Sequence, residues 1–268
     1  MTTTTSLDTT NTSDATLKSR YESVQQRIDE AVQRSGRRNK DIILVAVTKN
    51  ASFDQIRDLI QFGHVDLGEN RVQQLVQRAA QVDEFLERAK QLSTTKMAKV
   101  PQSIRWHMIG SLQRNKVRKV LPLVRITHSV DSLRLAEEVQ TAAGRLDGTI
   151  EILIQVNASG EKTKQGVAPA ACHHLIDQID TMMNIKVRGL MTMAPLDKNA
   201  DSARLTFDRC RELFEEIHKS GVAGENFNLL SMGRSSDFET AIECGSNIVR
   251  IGSAIFGPPA ITDAEKID

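Results

Sequence analysis

The chain has 268 residues, with 35 Lys plus Arg against 34 Asp plus Glu, for a formal charge of +1. That balance gives no electrostatic reason to bind nucleic acid or an anionic membrane surface, and neither is expected as a partner. Aromatics are only 4%, with one Trp and one Tyr, which disfavours a base-stacking single-strand binder, and no apolar run reaches the roughly 18 residues that span a bilayer.

Residues 1–14 are Thr-rich and carry no apolar signal core, so they read as a disordered polar tail. The first Arg is Arg20, a poor match to an Arg-rich transit peptide. The expected compartment is therefore the cytoplasm, with the mitochondrion as the alternative. Leu17, Tyr21, Val24, Ile28 and Val32 recur at helical spacing, and Gly36 stops that leading helix. Eight apolar runs of strand length follow, at 42–47, 64–67, 104–109, 124–128, 150–156, 185–190, 227–230 and 247–251. Helix-patterned residues follow the first seven runs, at 52–61, 71–91, 112–120, 132–144, 168–180, 201–220 and 236–243, and a short turn follows Ser253. Continuous apolar strands between amphipathic helices imply a parallel sheet covered on both faces. Eight such units close most simply into a (β/α)8 TIM barrel, expected over residues 15–260 with a short tail at 261–268. The rival is an open doubly wound sheet, which usually opens on a Gly-rich first turn; Val47-Thr-Lys-Asn50 stands there instead. The polar stretch 92–102 reads as a loop.

In a barrel, functional groups stand at the C-terminal ends of strands. Lys49 follows strand 1 with the side-chain parity of Ile43, Val45 and Val47. Over an apolar interior, partial desolvation would favour the neutral amine that condenses with aldehydes; the plain alternative is a strand-end lysine reaching solvent. Strand 8 lies beside strand 1 on closure, so Arg250 faces the same pocket. Gly252 permits close backbone approach there, and Ser253 offers an N–H and a hydroxyl. After strand 7, Ser231-Met-Gly-Arg-Ser-Ser-Asp237 leads into a helix whose start reads as a capping box between Ser236 and Glu239. Loops after strands 7 and 8 with helix N-termini are where barrels bind phosphate, against the plainer reading of two Gly/Ser turns. His107 and His128 read as acid–base groups or as satisfied core histidines. The pair Glu69-Asn70 can present a polar group to a ring substituent. His173, His174 and His218 have no partner at ligand spacing, so no metal is expected. Cys172, Cys210 and Cys244 read as small buried apolar residues.

The segments Ile42-Ile-Leu-Val-Ala-Val-Thr-Lys49, Gly68-Glu-Asn-Arg-Val-Gln-Gln-Leu75 and Trp106-His-Met-Ile-Gly-Ser-Leu-Gln-Arg-Asn-Lys-Val117 occur in that order. They are followed by His128-Ser-Val-Asp-Ser-Leu133, Gln155-Val-Asn157, Gly189-Leu-Met-Thr192, Leu230-Ser-Met-Gly-Arg-Ser-Ser-Asp237 and Val249-Arg-Ile-Gly-Ser-Ala-Ile-Phe-Gly257. Together they resemble the pyridoxal phosphate homeostasis proteins, also called the proline synthase co-transcribed family, over residues 17–257. The resemblance implies a fold-type III barrel like the N-terminal domain of alanine racemase, with pyridoxal 5′-phosphate (PLP) held as a Schiff base on Lys49. It implies that Ser235, Gly252 and Ser253 hold the phosphate, that Arg250 faces the pyridine nitrogen, and that Val47, Asn70 and Met232 line the ring pocket. The sequence departs from the family pattern at Thr48 and Asn50, where Ser and Thr are usual, and at Arg71, Ser111 and Arg234, where an aromatic, a His and a Met are common. Arg234 lies nearest the phosphate loop, and its effect is left open.

An Arg at the pyridine nitrogen opposes ring protonation and weakens the electron sink. Racemisation further needs a base on the opposite face, which in alanine racemases is a Tyr from an added domain of the neighbouring subunit. No second domain fits after Gly257, and Tyr21 sits on the apolar stripe of the leading helix. The implied role is a monomeric carrier or buffer of PLP in intracellular vitamin B6 homeostasis, without efficient catalysis, with PLP-dependent apo-enzymes as candidate recipients. The alternatives are a weak PLP-dependent racemase or lyase, and a phosphate-binding barrel unrelated to PLP, such as a Schiff-base aldolase.

Overall fold

The computed structural model describes residues 16–37, 42–92, 100–161, 163–195 and 200–258. The tails expected at 1–14 and 261–268, and most of the loop expected at 92–102, lie outside the described residues. Helix α1 (Leu17–Arg34) starts at Thr16, whose hydroxyl caps the Ser19 N–H, and stops just before Gly36. Its Tyr21, Val24, Ile28, Ala31 and Val32 are buried, the stripe that the helical spacing predicts.

Eight strands follow: β1 (Ile43–Val47), β2 (Asp66–Glu69), β3 (Arg105–Met108), β4 (Val124–Val130), β5 (Ile150–Gln155), β6 (Ile185–Met191), β7 (Leu229–Ser231) and β8 (Ile248–Ile251). All pair in parallel, in sequence order, and β8 pairs back to β1, so the sheet is a closed barrel and not an open doubly wound sheet. Between them run α2 (Phe53–Gln61), α3 (Val72–Leu92), α4 (Val117–Val120, after a 3₁₀ turn), α5 (Leu133–Gly144), α6 (Pro169–Asp180), α7 (Ala200–Ser220) and α8 (Phe238–Glu243), with α9 (Ser253–Phe256) after β8.

Three apolar clusters hold the layers. Val45, Ile126, Leu153, Met191 and Ile248, with Ile43 and Leu229 against them, fill the barrel interior. Two larger clusters lie between the sheet and its helices, one of them including the buried stripe of α1. Helix α1 is tied to α8 by Arg27–Glu239 and Arg34–Glu243 ion pairs. Burial of these apolar faces is the main favourable term in the fold.

Several strand ends differ from the hydrophobic runs, and for one reason. β2 extends through Gly68 and Glu69, β4 through Ser129 and Val130, and β7 through Ser231. Polar residues at these ends keep the ladder and find partners in the fold, Glu69 with Thr48 and Arg78, Ser129 with the Gly110 carbonyl and Ser231 with His128, so apolarity alone ends the strand too early. The capping box expected at Ser236 and Glu239 does not form. Asp237 takes the N-cap position, Ser236 Oγ donates to its carboxylate, and Glu239 turns to Arg27.

Candidate functional site

A cavity of about 660 Å³ opens at the C-terminal end of the barrel. Lys49, Val47, Asn70, Ser235, Arg250, Gly252 and Ser253 all line it. Met232 is not among its lining residues. It shares the parity of Leu230, whose side chain faces the helices, and lies fully buried in the core between sheet and helices. A larger recess of about 1050 Å³, between Arg114–Arg118 and Asp131–Glu138, contains none of the expected site residues.

Lys49 continues the inward row of Ile43, Val45 and Val47, as parity predicts, but it is exposed at the mouth. Its amine has no hydrogen bond or ion pair among the described residues. The expected desolvation is therefore not present, and the case for a reactive amine rests on position and access. The segment carrying it is held from below. Thr48 Oγ1 donates to the fully buried Glu69, and Arg78 reaches Glu69, the Thr48 carbonyl and the Ala51 carbonyl.

Arg250, inward on β8 opposite Val45, is buried. Burial pushes its pKa down to about 10; the charge of Arg234 acts in the same direction and that of Asp237 against it. Its Nη2 donates to the Thr192 carbonyl at 3.0 Å, and its Nη1 donates to Ser231 Oγ. From there a chain of hydrogen bonds crosses the interior: Ser231 Oγ to His128 Nδ1 at 3.0 Å, His128 Nε2 to His107 Nδ1 at 3.0 Å, and His107 Nε2 to Asp66 Oδ1 at 3.0 Å. Its two ends have fixed roles. Arginine only donates, and a carboxylate only accepts. Ser231 Oγ therefore accepts from Arg250, and His107 donates from Nε2 to Asp66. Burial holds the His128 pKa well below the ordinary imidazole value, with the charges on His107 and Arg250 adding to the effect. At the far end, burial alone would raise the Asp66 carboxyl, but hydrogen bonds from Arg105 and His107 outweigh it and hold it low. The two histidines are thus committed core groups and do not line the cavity.

The adjoining wall is built from the turns after β7 and β8. Gly233 has φ +93°, and a Cβ there would come within 2.8 Å of Phe238 Cα; the turn presses its backbone onto α8. Beyond it, Ser235 Oγ accepts the N–H groups of Gly252 at 3.1 Å and Ala254 at 3.4 Å, which leaves its own proton to donate. A Cβ on Gly252 would lie 3.2 Å from the Val47 carbonyl oxygen, the close backbone approach expected there.

Other cavity residues, among them Gln155, Met193 and Phe256, are not site positions expected from the sequence. For Gln155 the signal was present: it shares inward parity with Leu153 at the end of β5. The lining includes four cations, Lys49, Arg71, Arg234 and Arg250, and no Asp or Glu. Asn70 Oδ1 is buried without a partner among the described residues. Such a cavity suits an anionic ligand that carries a carbonyl within reach of Lys49 and a phosphate at the Ser235–Gly252–Ser253 wall. Among the described residues, no group of three or more His, Cys, Asp or Glu could hold a metal ion.

Fold and site define a barrel of the kind described as "Alanine racemase, N-terminal domain", whose family profile matches residues 79–259. A protein of Aquifex aeolicus named pyridoxal phosphate homeostasis protein is 37% identical over 239 residues, covering 89% of this chain and 96% of that one. The chain belongs to the pyridoxal phosphate homeostasis protein family. Among solved structures, a protein of unknown function from Bifidobacterium adolescentis is 34% identical with a TM-score of 0.80, covering 90% of this chain and 94% of that one. PipY of Synechococcus elongatus, solved with PLP bound, is 29% identical with a TM-score of 0.70, covering 87% of this chain and all of that one.

Proposed function

We propose that the chain binds PLP covalently, as a Schiff base on Lys49, and acts as a monomeric cytoplasmic carrier or buffer of this cofactor without efficient turnover. The observation that carries the reading is the cavity lining: an unencumbered primary amine faces a Ser235–Gly252–Ser253 wall, with Arg250 between them and no carboxylate in the lining. PipY, a structural neighbour solved with PLP, supports the choice of ligand. When bound, the cofactor supplies an aldehyde that condenses with the Lys49 amine with loss of one water.

The residues of this chain divide the remaining work. The Ser235 hydroxyl and the backbone at Gly252 and Ser253 receive the phosphate, and Val47 and Asn70 border the ring. Arg250, locked by Ser231 and Thr192, presents a cation to the pyridine nitrogen and opposes its protonation. The absence of efficient turnover is supported by where the bases stand. His107 and His128 are consumed in the interior chain, and Tyr21 lies on α1, its hydroxyl 3.0 Å from His64 Nδ1, away from the cavity. Apo-enzymes that require PLP are the candidate recipients.

Incubation with PLP followed by borohydride reduction and peptide mass spectrometry is expected to place the adduct on Lys49, with loss of the visible absorbance band in Lys49→Ala. An adduct on Lys116, or an unchanged band in Lys49→Ala, overturns the proposal. Release of the α-deuteron from labelled amino acids at a useful rate would favour the racemase or lyase reading instead.

A further inference from the structure

We infer that Arg234 sets the specificity of this cavity: its guanidinium joins Ser235 on a phosphate monoester dianion, so that a phosphorylated ligand is selected over its unphosphorylated counterpart. The inference rests on the reading of the cavity as a PLP site. A thioether at this position, as in Arg234→Met, accepts only weakly and donates nothing.

The side chain is already half committed. Nη2 donates to Asp237 Oδ2 at 3.1 Å and to the carbonyls of Pro195 at 3.2 Å and Ala194 at 3.3 Å. The Arg234 backbone N–H donates to the other oxygen of the same carboxylate. These contacts immobilise the guanidinium without using all of it. Nε is buried and has no acceptor among the described residues, although Arg234 lines the cavity beside Ser235. An unsatisfied buried donor is unfavourable and persists where something else completes it.

The neighbourhood says what would complete it. Asp237 is occupied by the Arg234 side chain, the Arg234 backbone and the Ser236 hydroxyl, so it does not compete. The hydroxyl of Ser235 also has a proton left to give. The guanidinium, whose Nη1 makes no hydrogen bond among the described residues, and the Ser235 hydroxyl are neighbours in a lining without acids. That arrangement recognises a multiply charged oxyanion, and guanidinium–phosphate contacts are among the stronger hydrogen bonds. A ligand ending in a plain hydroxymethyl group brings no charge to the guanidinium and leaves its donors unpaired, which is the situation in which sites discriminate strongly.

The test is calorimetric titration of wild type, Arg234→Met and Arg234→Lys with PLP, pyridoxal and inorganic phosphate, each variant checked by thermal melting. Wild type is expected to prefer PLP. In Arg234→Met the PLP-to-pyridoxal preference should fall roughly ten- to a hundredfold, with pyridoxal affinity unchanged within about twofold and phosphate binding weakened. Arg234→Lys, which keeps the charge, should recover part of the preference. If Arg234→Met weakens both vitamers equally, or neither, the inference is overturned while the site reading stands. If wild type takes up neither vitamer, both fall. Should Arg234→Met not fold, Arg234→Lys and Arg234→Gln carry the comparison: equal preference in the charged and uncharged variants overturns the role of charge.

Discussion

His128 stands between a hydroxyl that accepts from Arg250 and an imidazole that donates to Asp66, fully buried in the barrel interior. Its pKa is held below the ordinary 6.5 by burial, and His64 is lowered for the same first reason. The unfolded chain therefore binds more protons than the folded one once pH drops below 6.5, and stability falls as pH falls. Asp66 adds to this at lower pH, because its contribution is present above the ordinary 3.8 and is lost as acid titrates the folded carboxyl. Each neutral-locked imidazole supplies a slope of up to about 1.4 kcal/mol per pH unit. His128→Asn is expected to flatten urea-unfolding stability against pH between about 6.5 and 5 by up to that slope. An unaltered slope would show that His128 titrates as readily in the folded protein as in the unfolded one. Because the same chain orients Arg250, the variant should also shift the absorbance of bound PLP, a change that a purely structural loss elsewhere would not produce.

At the scale of elements, the segment bearing Lys49 is fixed less by its own strand than by what α3 sends beneath it. Arg78 joins β2, the end of β1 and the start of α2 through Glu69, Thr48 and Ala51. Glu69 is fully buried, and its second oxygen has no partner among the described residues. Removing the cation from such a pair strands a buried charge, which costs about 3–5 kcal/mol. Arg78→Ala is therefore expected to lose stability of that order in denaturant unfolding, and Glu69→Gln in the same background to recover part of it. A loss below about 1 kcal/mol would mean that other contacts hold the segment.

For the whole molecule, what was legible in the chain was whatever is local. Eight apolar runs alternating with amphipathic stretches predict the barrel, and the parity of Ile43, Val45 and Val47 predicts that Lys49 stands at its mouth. The Gly/Ser turns after the last two strands predict a wall that could receive phosphate, because each lies within a few residues of a strand end. The interior chain was not legible. Asp66, His107, His128 and Ser231 sit on four different strands, and only closure brings them into contact. The resemblance implies Met232 in the pocket, whereas its parity with Leu230 points it to the helices. The exposure of Lys49 was missed because a strand's direction says which way a side chain points but not how deep it sits.

The absence of acids from the cavity lining has a kinetic consequence. The protein as a whole carries only +1, yet four cations converge on one opening. The local field there draws an approaching dianion from a distance that depends on dissolved ions: the Debye length is about 30 Å at 0.01 M salt and about 8 Å at 0.15 M. In stopped-flow mixing, raising salt across that range is expected to slow PLP uptake several-fold while leaving its departure nearly unchanged; an uptake rate indifferent to salt would refute this. Uptake governed by long-range charge and departure governed by contacts inside the cavity would make the two rates separately tunable.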